Sequence, residues 1–121
     1  MFRRLIDAVR VLAALPRIEL ARQVEGPAPL LSRLRREGMR RSPRSNPGRG
    51  RLQETILAID RRLPGGGNCY RRALLEIALD PDAAKQPFFM GINSSCEPNS
   101  GHAWIGSVNG STDRYHVVIS M

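Results

Sequence analysis

Pro64-Gly-Gly-Gly-Asn68-Cys69-Tyr-Arg-Arg-Ala-Leu-Leu-Glu-Ile-Ala-Leu79 lies just past the middle of a 121-residue chain and separates two textures of sequence. A proline followed by three glycines demands a turn, and Asn68 is a preferred helix N-cap. From Cys69 onward Ala73, Leu74, Ile77 and Ala78 recur at the spacing of a helix with one inner face. Asp80-Pro81 ends that helix, and Asp82 to Lys85 adds one more turn.

Toward the C-terminus, Pro87-Phe-Phe-Met-Gly-Ile92 reads as a strand from its aromatic and β-branched content, and Asn93 to Gly101 as a polar loop. His102–Val108 and Arg114–Ile119 are two further strands, joined as a hairpin around Asn109-Gly110. Toward the N-terminus, Leu52, Ile56, Ile59 and Leu63 repeat at 4-3-4 spacing, a helix stopped at Pro64. Ser42 to Gly50 holds two prolines, two glycines and no apolar residue, a linker. Before it, Leu30, Leu31 and Leu34 open an arginine-rich amphipathic stretch reaching about Met39, preceded by the break Gly26-Pro-Ala-Pro29. Phe2, Leu5, Ile6, Val9, Leu12 and Ala13 share one face of a first helix, which is expected to end before Pro16, with Arg17 to Val24 a short helical continuation. Helices first, then one helix followed by a small antiparallel sheet, make an α+β chain: a basic helical segment over 1–50 and a core over 51–121.

Charge follows the same division. The formal net charge is +8, but residues 1–51 hold 13 of the 19 basic and 4 of the 11 acidic residues, so the later part is nearly neutral. Lys85 is the only lysine. A surplus of this kind belongs to a solvated helical surface, to a grip on an acidic partner, or to contact with nucleic acid or an anionic membrane surface. Phe2 is the sole aromatic residue in this segment, which argues against nucleic acid. Apolar stretches fall far short of the roughly 20 residues of a membrane span. Asp7 and Arg10 interrupt any secretory signal, and two cysteines make no disulfide framework, so a reduced cytoplasmic protein is expected.

Cys69 is the candidate for chemistry. A thiol at a helix start lies near backbone N–H groups and the positive end of the helix dipole, which favour the thiolate, and Arg71 and Arg72 are expected to add to that field. A thiolate needs a basic partner, most often histidine, and His102 opens a strand after the Cys69 helix. Cysteine on a helix, then histidine on a strand, is the order of papain-like and transglutaminase-like enzymes. The plainer readings are a small buried thiol and a structural histidine. Trp104, two residues on, shares the face of His102, where it shields the pair from water or fills the core. Cys69, Cys96, His102 and His116 have the chemistry of zinc ligands, but their spacing fits no compact zinc motif; no metal or other cofactor is expected.

Asn68-Cys-Tyr-Arg-Arg-Ala-Leu74, followed by His102-Ala-Trp104 and a closing strand, resembles the transglutaminase-like B2 proteins of lasso peptide biosynthesis. These are cysteine peptidases, hydrolases that act as leader peptidase in the maturation of ribosomally made peptides (RiPP maturation). The likeness covers roughly residues 52–121 and the N-terminal helices only in general character. It implies a papain/transglutaminase-like core with Cys69 as nucleophile and His102 as general base and acid. It implies three partners: the leader region of a precursor peptide, a leader-recognition protein and an ATP-dependent lasso cyclase.

The family also places an Asp about a dozen positions beyond the His, and Asp113 is the only acidic residue after His102. If Asn109-Gly110 is a two-residue turn, Val117 falls opposite His102 and Asp113 opposite Gly106, about four residues along at roughly 3.4 Å each. A bulge or longer loop between Val108 and Thr112 would bring Asp113 back; otherwise His116 lies nearest. One oxyanion donor is the Cys69 N–H, and the second is open. Two further functional readings stand beside peptide hydrolysis: a transglutaminase-like acyl transfer to an amine, and a non-catalytic basic adaptor that holds an acidic partner or nucleic acid.

Overall fold

The computed structural model describes residues 2–64, 68–92, 101–106 and 116–120. Its elements are α1 (Phe2–Val24), α2 (Pro27–Met39), α3 (Asn46–Arg62), α4 (Cys69–Leu79), α5 (Pro81–Ala84), β1 (Phe88–Ile92), β2 (Gly101–Ile105) and β3 (His116–Ser120). The chain is therefore α+β, and it divides into two compact units, Met1–Lys85 and Gln86–Met121.

α4 organises the first unit. Leu74, Leu75, Ile77, Ala78 and Leu79 are all buried, so the helix is enclosed on nearly every side, with α1, α2, α3 and α5 against it. Both its ends fall where the sequence places them. Asn68 caps the start, and Asp80 closes the end while capping α5 by accepting from the Asp82 N–H at 3.0 Å. α2 comes so near α4 that a Cβ on Gly38 would collide with the Ile77 carbonyl oxygen. α3 buries Leu52 and Ile56 and stops at Leu63, ahead of Pro64, as its spacing predicts.

Three local expectations are corrected. α1 does not end before Pro16 but runs through it to Val24. A proline inside a helix costs about 3 kcal/mol. Ile18 and Ala21 beyond it continue the buried face of Val11 and Ala14, and burying one Ile side chain contributes about 1.5–3 kcal/mol. Pro16 itself is exposed, so its ring points away from the packing. Second, the face of α1 carrying Phe2, Leu5, Val9 and Leu12 is exposed; α1 packs by the opposite one. Third, the linker is shorter than Ser42–Gly50, because α3 starts at Asn46. Ser45 caps it, accepting from the Gly48 N–H at 3.1 Å, and Pro47 sits in the first turn, where a missing N–H costs nothing. The same logic draws Pro27 and Pro29 into α2.

The second unit is a three-stranded antiparallel sheet of order β2-β1-β3. This corrects the hairpin: β2 and β3 are not neighbours, and each pairs with β1. β1 is the most apolar of the three, and Phe88 and Phe89 are both buried although they point to opposite faces. The β1–β3 register shifts between Met90 and Gly91, leaving Val118 as the extra residue of a bulge. β2 ends at Ile105 and is followed by Gly106, whose φ of 106° favours glycine and whose N–H donates to the Pro87 carbonyl at 3.0 Å. Among the described residues no helix is long and apolar enough to cross a membrane.

Candidate active site

Cys69 is the first residue of α4 and is half-buried. Asn68 shapes the turn before it: its side-chain oxygen accepts from the Arg71 N–H at 3.0 Å, and its carbonyl accepts from the Arg72 N–H at 3.1 Å. Cys69 and Tyr70 are thus the first two residues of the helix. Burial of Tyr70 raises its phenol above the usual range, with the charge of Arg22 opposing.

Arg71 and Arg72 do something other than the sequence suggests. The Arg71 guanidinium turns into the helical unit, donating through Nε to Asp60 Oδ1 at 2.8 Å, again to Asp60 through NH2, and to Glu19 Oε1 at 3.2 Å. Arg72 reaches the second oxygen of Asp60 at 3.3 Å. Burial opposes the charge on Arg71, and its bonds to Asp60 and Glu19 outweigh that, so its proton is held more tightly than usual. Glu19 is held below the usual carboxylate range, first by its hydrogen bond from Arg22, against the opposing effect of burial, and then by Arg71. The expectation that the two arginines add a positive field at the thiol is corrected: their charge is spent on Asp60 and Glu19.

Asp60 was not among the candidates. Its signal was present all the same, since Leu52, Ile56 and Asp60 fall at i, i+4 and i+8 on one face of α3. A carboxylate on an apolar stripe requires a buried cation. Asp7 on the inner face of α1 repeats the pattern with Arg44, at 2.9 Å.

His102 lies in β2, paired with Gly91, while Phe89 pairs with Trp104. The Phe89 and Trp104 rings stack with centroids 5.6 Å apart. Alternation along the strands puts positions 89, 91, 102 and 104 on one face, so position 102 sits across from a residue with no side chain. His116 pairs with Ile92, one position off, which assigns 116 and 102 to opposite faces of the sheet. Val117 aligns with Gly91, so β1 lies between it and His102. Asp113, Cys96 and Asn109-Gly110 lie outside the described residues. Cys69 belongs to the first unit and His102 to the second. Among the described residues, no three His, Cys, Asp or Glu side chains gather closely enough to hold a metal ion.

No family model, no curated protein and no solved structure matches this chain.

Proposed function

We propose that this chain is a cytoplasmic thiol peptidase of the transglutaminase-like class, which removes the leader from a ribosomally made lasso precursor peptide. The observation that carries the reading is the position of Cys69, half-buried at the first residue of α4 behind the capping Asn68. Support comes also from chain order, a cysteine-bearing helix followed by strands of which the second carries His102, the order that the resemblance implies.

In this mechanism the Cys69 thiolate attacks the scissile carbonyl carbon, and the oxyanion that forms accepts a hydrogen bond from the Cys69 N–H. Collapse breaks the C–N bond. The imidazolium of His102 gives its proton to the departing amine, leaving a thioester on Cys69. His102 then takes a proton from water as that water attacks the thioester; the C–S bond breaks, which releases the carboxylic acid and restores the Cys69 thiolate beside the His102 imidazolium. Asp113 would orient His102. A separate leader-recognition protein would deliver the precursor, and an ATP-dependent cyclase would consume the freed core peptide.

The test is incubation of the cognate precursor with wild-type and Cys69→Ala protein, in the presence of the recognition protein, with products read by mass. Cleavage by the wild type and none by the variant is expected, as is loss of cleavage when iodoacetamide labels Cys69. Normal cleavage by Cys69→Ala overturns the reading. A product joined to an added amine in place of water assigns acyl transfer instead.

A further inference from the structure

α1 turns two apolar faces in opposite directions. One is buried through Val11, Ala14, Ile18 and Ala21. The other consists of Phe2, Leu5, Val9, Leu12, Leu20 and Val24, which are 74, 62, 58, 55, 65 and 74% exposed. Single exposed apolar side chains are ordinary, but an unbroken row along a helix of 23 residues is not. At about 100° per residue these positions, with exposed Ala13 and Pro16, cover about 120° of the helix surface, broader than the narrow seam of a coiled coil.

A basic cavity borders this row. Arg3, Ile6, Asp7, Arg10, Arg44 and Arg51 line a space of about 180 Å³. Asp7 is committed to Arg44. Arg3 and Arg10 have no acidic partner among the described residues, and the buried Nε of Arg51 meets no hydrogen-bond acceptor among them. The cavity therefore offers several donors and a net positive charge to an oxyanion, directly beside exposed apolar surface. A second copy of the chain is the wrong occupant, because pairing two such rows would bring two arginine-rich flanks together.

We propose that α1 docks in the plane of an anionic phospholipid surface, its outer row in the acyl boundary and lipid phosphates in the arginine-lined cavity. Apolar insertion and electrostatic attraction are the two contributions that together hold a peripheral protein on a membrane. This rests on neither Cys69 nor His102, and holds whatever reaction the chain performs.

The test is co-sedimentation of the full chain with vesicles of phosphatidylcholine alone and of phosphatidylcholine mixed with phosphatidylglycerol. Binding to the mixed vesicles only, weakened by salt, is expected. Leu5→Glu and Val9→Glu should each reduce it about tenfold or more. Because both side chains are exposed, circular dichroism and the urea midpoint of these variants should match the wild type. Arg3→Glu combined with Arg10→Glu should also reduce binding. Folded wild-type protein that ignores both vesicles overturns the proposal, as does undiminished binding by Leu5→Glu and Val9→Glu. Preference for soluble poly-glutamate over vesicles, or a dimer that Val9→Glu dissolves, assigns the surface to a protein partner and equally overturns it. So does displacement from vesicles by inorganic phosphate that leaves the two apolar variants binding like wild type, which would make the cavity a site for free anions alone.

Discussion

Asp60 and Arg71 form an ion pair inside the helical unit, the carboxylate side chain fully enclosed and the guanidinium side chain 3% exposed. α3 supplies one partner and α4 the other, so the pair ties the helix that begins with Cys69 to its neighbour. Removing one member of a buried pair leaves an uncompensated charge and costs about 3–5 kcal/mol. Asp60→Ala is expected to lose that much in urea unfolding, whereas the double change Asp60→Leu with Arg71→Met should recover most of it. A loss under about 1 kcal/mol for Asp60→Ala would mean that water reaches Arg71 and solvates it.

Asn68 caps α4 through the Arg71 N–H. Asn68→Ala should cost about 1 kcal/mol. Asn68→Asp keeps an accepting oxygen, so stability should hold, but it sets a negative charge beside Cys69. Slower cleavage by Asn68→Asp at unchanged stability is the expected outcome. An unchanged rate would count against a thiolate at this helix start.

Pro16 is exposed within α1 and leaves one helical hydrogen bond unmade. Pro16→Ala should stabilise the protein by about 1–3 kcal/mol, seen as a higher urea midpoint with an unchanged slope. A destabilised variant would show that the packing of Val11 and Ile18 depends on Pro16 itself.

Acid should act in two opposite ways. The hydrogen bond from Arg17 holds Glu37 below the usual carboxylate range, against the opposing effect of burial, and Arg22 does the same for Glu19. A lowered folded-state value means stability that is present above the unfolded value of about 4.3 and is lost as pH falls through the folded one. Glu76 is the reverse case: burial raises it, against the Gln53 hydrogen bond of 2.8 Å. Its ionisation penalises folding above its folded value and not below its unfolded one. Glu76→Gln should therefore stabilise the protein at neutral pH, with the gain gone below about pH 4. A gain that does not change with pH would remove ionisation as its cause.

The helix that begins with Cys69 was legible because its signals are local. Asn68 before Cys69 is a cap followed by a helix start, and Asp80-Pro81 is a stop; each acts within one turn of its own position. The arginines were not legible in this way. Arg71 and Arg72 follow Cys69 in sequence, yet their charge goes to Asp60 on α3 and Glu19 on α1, residues that only packing brings near.

The sequence by itself determined where α4 begins and ends, that α3 stops ahead of Pro64, and that Phe88–Ile92 is extended. Caps, prolines and side-chain periodicity act over a few residues and have few competing outcomes. Tertiary structure decided which of the two apolar faces of α1 is buried, whether that helix survives Pro16, and that β1 lies between β2 and β3. Those choices depend on how much surface distant segments can bury together. Val11 and Ile18 are buried where Phe2 and Leu5 are not, and β1 takes a pairing partner on each of its edges.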